Sequence, residues 1–195
     1  MDKKEALKLV QESGHELVYL PDEFKKDKEI VLEAVKTYGR ALEYADDSLK
    51  KDKEIVLTAV KQSGYVLQQA DDSLKKDREI VLEAVKTYGC ALEYADDSLK
   101  KDKEIVLEAV KQNGGALKHA DKKLQDDKEI VTTKTKLNIK KFKKLEQEAF
   151  NNTDESGYYM DEFDYCLGNL AEDLCSAGEK EWARKIYKVV EEKLG

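Results

Sequence analysis

The stretch "DKEIVLEAVKTYG" spans residues 27–39 and returns as "DREIVLEAVKTYG" at residues 77–89. Looser copies start at Asp52 and Asp102. Aspartate holds the frame at Asp2, Asp27, Asp52, Asp77, Asp102 and Asp127, in steps of 25 residues without a gap. Gly14, Gly39, Gly64, Gly89 and Gly114 keep the same step. A fixed period of this size marks units that stack side by side, because one unit alone cannot bury its apolar face. Five full units run from Asp2 to Asp126. The first is the most diverged, and a sixth starts at Asp127 and loses the pattern after Val131.

Within the phrase, Asp27 is a good N-cap and Glu29 suits the positive end of a helix dipole. Ile30, Val31, Leu32, Ala34, Val35 and Tyr38 are apolar. They spread over roughly 200° of a helix, enough for one held between the helices of two neighbouring units. Gly39 stands where a left-handed C′ residue would end the helix, and its regular return is assigned to that need. "RALEYA" (40–45) is helical in propensity and would turn Ala41, Leu42 and Ala45 inward. "DDSLKK" then connects to the next unit, with its own capping aspartates and one buried anchor, Leu49. The first unit has Pro21 and Phe24 at the corresponding places, and proline suits a turn or the first position of a short helix.

The predicted fold class is therefore all-α. A short solenoid of helix–turn–short-helix units covers residues 2–131, with units stacked at ~10 Å. A basic capping helix at 132–150, an acidic loop at 151–160 and an αα-hairpin at 161–195 follow.

Composition narrows the function. Charged residues make up 39% of the 195 residues and apolar ones 41%, too apolar for a disordered chain. A net charge of −7 disfavours broad attraction to nucleic acid or an anionic membrane. No apolar run approaches the ~18 residues of a membrane-spanning helix. "MDKKEALKLV" lacks the apolar core of a signal peptide, so a cytoplasmic location is expected. Cys90, Cys166 and Cys175 form no CxxC pair and no metal-ligand spacing, which reads as free thiols. No phosphate loop, nucleophile elbow or HExxH occurs, and His15 and His119 are the only histidines. No enzyme activity, cofactor or metal is expected. The pairs Asp46/Asp47, Asp71/Asp72 and Asp96/Asp97 stand at one turn position before "SLKK", where aspartate caps a helix.

The segment "DKEIVLEAVKQNGGALKHADKKLQDDKEIV" (102–131) combines a DKE-[IV]-V-L-x-A-V-K-x-x-G helix with a following A-L-x-[YH]-A. In these features residues 2–131 resemble the bacterial repeat family called domain of unknown function 4116. The resemblance implies a helical repeat and brings no catalytic residue with it.

Where the units differ is informative. After the glycine come His15, Arg40, Tyr65, Cys90 and Gly115. Three and four positions on stand Val18/Tyr19, Glu43/Tyr44, Gln68/Gln69, Glu93/Tyr94 and Lys118/His119. On an α-helix these positions share a face. A varied stripe on a constant frame is how solenoids present binding surfaces, and tyrosine, common in binding hot spots, recurs in it. The candidate partner-binding residues are Arg40, Glu43, Tyr44, Tyr65, Gln68, Gln69, Glu93, Tyr94, Lys118 and His119. The expected partner is another protein, bound as by an inhibitor or immunity-type binder; drift at exposed positions accounts equally well for any one position, and the recurrence of tyrosine favours binding for the stripe. The second and fourth units differ only at Lys28/Arg78 and Arg40/Cys90. Both carry "TYG" where the third and fifth carry "QSG" and "QNG", so the true period reads as two units, which recent duplication explains without function.

From Thr132 the composition changes. "TTKTKLNIKKFKKLEQEAF" holds Lys134, Lys136, Lys140, Lys141, Lys143 and Lys144, with Leu137, Ile139, Phe142 and Leu145 as apolar contacts. This predicts a capping helix with a solvated basic face; nucleic-acid binding along it is the alternative. Residues 151–181 carry nine acidic residues against Lys180. Within them, Asn152, Asp154, Ser156 and Gly157 match the start of an EF-hand loop, with the Tyr158 carbonyl next. The closing bidentate glutamate is replaced by Phe163, with Glu162 one residue early, so an acidic surface loop is the default and a calcium-responsive one the alternative. In the hairpin, Leu167, Leu170, Ala171 and Leu174 would face Trp182, Ile186, Val189, Val190 and Leu194, with Gly178 at the turn.

Overall fold

The computed structural model describes residues 1–151, and every regular element among them is helical. In chain order the α-helices are α1 (Lys3–Glu12), α2 (Asp22–Lys25), α3 (Lys28–Thr37), α4 (Lys53–Gln62), α5 (Arg78–Thr87), α6 (Lys103–Gln112), α7 (Lys122–Gln125) and α8 (Lys128–Asn151). Two compact units divide the chain, Met1–Leu124 and the part from Gln125 onward. The first is an all-α repeat stack. The acidic loop, with its EF-hand-like residues, and the expected hairpin lie outside the described residues.

The aspartate frame is a row of helix caps. The carboxylate of Asp27 accepts the backbone N–H of Glu29 at 3.0 Å and of Ile30 at 3.3 Å. Asp52, Asp77 and Asp102 do the same for α4, α5 and α6. Asp2 forms a full capping box, its carboxylate on the N–H of Glu5 and the Glu5 carboxylate on its own N–H, both at 2.9 Å. Four orphan N–H groups at each helix start need such partners, which is why the frame cannot drift.

The five long helices α1, α3, α4, α5 and α6 pack each on the next. Behind them runs a second row of five 3-10 helices, Gly14–Tyr19, Gly39–Tyr44, Gly64–Gln69, Gly89–Tyr94 and Gly114–His119. Neighbours in this row also pack on one another and on the α row. The core lies between the rows. Ile30, Val31, Ala34 and Val35, with their counterparts in α4 to α6, are fully buried against Leu17, Leu42, Leu67 and Leu92.

Expectations about the repeat unit need correction. The buried face of the long helix is narrower than expected. Ile30, Ala34, Val31 and Val35 span only about 140° of the helix. Leu32 falls about 60° past the Val35 end of the row they make, on the margin, and it is half-buried, as are Leu57, Leu82 and Leu107. Leu49 is likewise half-buried rather than a core anchor, whereas Phe24 at the same place in the first unit is buried.

Second, the short helix is a 3-10 helix, not an α-helix. With about three residues per turn, side chains three apart eclipse and make three columns. Gly39, Leu42 and Ala45 form the buried column; Ala41 and Tyr44 the flanking one; Arg40 and Glu43 the exposed one.

Third, glycine does not end the helix through a left-handed backbone. Tyr38 is the C-cap, extended at φ −145° and ψ 95°, and its N–H donates to the Ala34 carbonyl at 2.9 Å. None of Gly14, Gly39, Gly64 and Gly89 has positive φ. They are needed because the next unit leaves no room for a side chain: a Cβ on Gly39 would stand 2.7 Å from the Ala59 carbonyl oxygen and 2.8 Å from Gln62 Cβ.

The second compact unit begins differently from the expected boundary at Thr132. Asp127 caps α8 through the N–H groups of Glu129 and Ile130 at 3.0 and 3.2 Å, and the helix runs unbroken from Lys128 to Asn151. The sixth unit's helix and the basic helix are one element. Thr132, Thr133 and Thr135 donate their hydroxyls to carbonyls four residues back, so their polar groups are met inside the helix.

Candidate functional site

Each junction between units is wired twice. On the side of the helix starts, Lys28 reaches Asp52 at 2.8 Å and Glu54 at 2.9 Å in the following unit. Lys3 does so with Asp27 and Glu29, Lys53 with Asp77 and Glu79, and Arg78 with Asp102 and Glu104. For Asp52, Asp77 and Asp102, burial pushes the carboxyl up, but the cation from the preceding unit and two backbone N–H groups outweigh it. The Lys3 ammonium is the main influence on Asp27, and all four carboxyls sit below their ordinary 3.8. In the connectors, the N–H of Asp46 donates to the Lys25 carbonyl at 3.0 Å, and Asp71, Asp96 and Asp121 repeat the bond to Lys50, Lys75 and Lys100. The Asp46 carboxylate accepts both the N–H and the hydroxyl of Ser48, and Asp47 pairs with Lys50 at 2.9 Å. These acidic pairs serve the turn.

The variable residues lie on the 3-10 row. The His15 ring meets Tyr38 and Tyr44 of the next unit edge-on, with centroids 5.8 and 6.0 Å apart, and Tyr19 of its own unit at 5.9 Å. Tyr65 repeats the arrangement with Tyr88 at 5.9 Å and Tyr94 at 6.1 Å. The Arg40 guanidinium lies 5.2 Å from the centre of the Tyr65 ring. Further along, His119 Nε2 is 3.9 Å from a carboxylate oxygen of Glu93.

Of the ten candidates, Arg40, Tyr65 and Tyr94 are thus brought together, as are Glu93 and His119. Tyr44 joins His15 instead of Arg40 or Glu43. Arg40, Glu43, Glu93 and Lys118 are exposed; Tyr44, Tyr65, Gln68, Gln69, Tyr94 and His119 are half-buried. Burial raises the pKa of Tyr94 and of Tyr88, so these phenols stay neutral well above physiological pH. Sequence reasoning left Tyr38, Tyr88 and His15 out of the candidate set. A pairing betrays them: tyrosine precedes the glycine at 38 and 88, and each time an aromatic residue follows the glycine one unit earlier, at His15 and Tyr65.

Burial lowers the pKa of His119 against the opposing pull of Glu93, with Lys118 and Lys100 adding to the lowering. A folded-state pKa below the ordinary 6.5 means that the unfolded chain binds this proton first, so stability falls as pH drops below that value. The capping aspartates add a second loss, because stability present above about pH 4 vanishes as they protonate. Melting temperature against pH should therefore fall in two steps on acidification, and His119→Gln should remove only the first. A wild-type curve flat between pH 7 and 5 contradicts the His119 part.

Among the described residues, no group of three or more His, Cys, Asp or Glu side chains could hold a metal ion, and no helix is long and apolar enough to cross a membrane. Neither a curated protein nor a solved structure matches the chain. The family model described as a domain of unknown function (DUF4116) matches residues 2–50, 52–100 and 102–133, advancing two units at a time, and the chain belongs to that family.

Proposed function

We propose that this is a cytoplasmic bacterial protein that binds another protein along its 3-10 row, as an inhibitor or immunity-type binder and not as a catalyst. The observation that carries this reading is the contrast between columns. Gly39, Leu42 and Ala45 recur in kind through the units, whereas the column that holds Arg40 and Glu43 reads His15/Val18, Arg40/Glu43, Tyr65/Gln68, Cys90/Glu93 and Gly115/Lys118. Half-buried tyrosines beside exposed charges also suit a binding face, since a ring already held by neighbours loses little freedom on contact.

The test uses the exposed charges, because the tyrosines also hold units together. The immobilised chain should retain a protein from its native cell extract. A Glu43→Ala/Lys118→Ala variant should keep its melting temperature and lose at least about tenfold in affinity for that protein, the scale of a hot-spot loss. Undiminished binding by the folded variant would sink the proposal.

A further inference from the structure

We infer that the five units are not equivalent links but form two rigid pairs, units one with two and three with four, with softer joints between two and three and between four and five. Two kinds of joint alternate along the stack. At the first kind, an aromatic residue of one unit meets two tyrosines of the next, as in His15 with Tyr38 and Tyr44 and in Tyr65 with Tyr88 and Tyr94. The hydroxyl of Thr37 also crosses back to the Val10 carbonyl at 3.2 Å, and that of Thr87 to Val60 at 3.0 Å.

At the second kind, glutamine replaces threonine at Gln62 and Gln112, and Ser63 and Asn113 replace the tyrosine. Gln112 puts its side-chain oxygen on the N–H of Gly89 at 2.6 Å, so a flexible amide stands in the joint. Among the described residues, no pair of rings crosses it. The backbones are also farther apart. A Cβ on Gly39 or Gly89 would lie 2.7 or 2.5 Å from the facing alanine carbonyl oxygen, and one on Gly14 or Gly64 would lie closer still. Rings and backbone approach thus alternate in phase, while hydrogen bonds cross both kinds of joint. The family match advances with the same two-unit step, each full match enclosing one ring-bearing joint. In a stack where each unit touches only its neighbours, the joints decide what opens together.

Native-state hydrogen exchange on the full chain, followed by mass spectrometry over a urea series, tests this. Units three and four should lose protection together as one step, and units one and two as another. Thr87→Gln/Tyr88→Ser writes into the fourth unit the phrase that the third already carries at Gln62 and Ser63. It should uncouple units three and four, with protection in each falling at least tenfold, and leave units one and two paired. The mirror variant, Thr37→Gln/Tyr38→Ser, should do the reverse. Exchange of all units in a single step, joint opening of units two and three, or pairs untouched by either variant would each overturn the inference.

Discussion

Gly64→Ala should destabilise the stack by about 3 kcal/mol or more, the upper range for forced overpacking. The added Cβ would run into the backbone carbonyl of Ala84 and the hydroxyl of Thr87. Neither is the free end of a flexible side chain, so the third and fourth units would have to move apart. Gly64→Asn separates this cause from the usual one. Asparagine tolerates the left-handed backbone, so a glycine needed for positive φ accepts it at small cost. Here asparagine should be at least as harmful as alanine. Gly115→Ala is the internal control, since its Cβ would meet only Asn113 Oδ1, at 3.2 Å. That substitution should be close to neutral. Urea midpoints of the three variants give the comparison, and a tolerated Gly64→Asn would restore the turn explanation.

Leu67→Ala should cost about 2–5 kcal/mol, the range for emptying a buried leucine site. Leu67 is fully buried in the middle unit of the 3-10 row, with units packed on both sides. Repacking from the ends of the stack cannot reach it. Leu82→Ala, on the margin of its helix, should cost clearly less, because part of its side chain is already in water. Equal losses at the two positions would contradict the burial pattern described here.

These two residues mark where the sequence was readable and where it was not. Caps and the central apolar positions were legible because local chemistry sets them. Asp27 must meet orphan N–H groups, and Ile30, Val31, Ala34 and Val35 repeat at helical spacing. The width of the buried face was not, because Leu32 is apolar whether or not a neighbour covers it. Gly39 was found by its period but given the wrong reason: the obstacle is the carbonyl of Ala59, twenty residues away, and no local pattern reveals that approach. The 3-10 helix did leave a trace, the step of three from Gly39 to Leu42 to Ala45. Seen with an α-helical eye, that step put Tyr44 beside Arg40 and Glu43. In the fold Tyr44 instead turns to His15 of the preceding unit.

The ion pairs at the helix starts give the stack a direction. Each unit offers a cation as a plug, as Lys28 does, and the next offers an aspartate and a glutamate as its socket, as Asp52 and Glu54 do. A plug on one side and a socket on the other is a head-to-tail arrangement, and surfaces of that kind polymerise without limit unless an end is blocked. The first unit carries an incomplete socket. In register with Asp27, Glu29 and Ile30, it carries Asp2, Lys4 and Glu5, and Glu5 is already engaged in the capping box. An incoming lysine plug would meet a lysine where the socket should hold a glutamate, and an incoming apolar face would meet a carboxylate. One reversed charge on α1 thus makes its leading face a poor socket for a lysine plug.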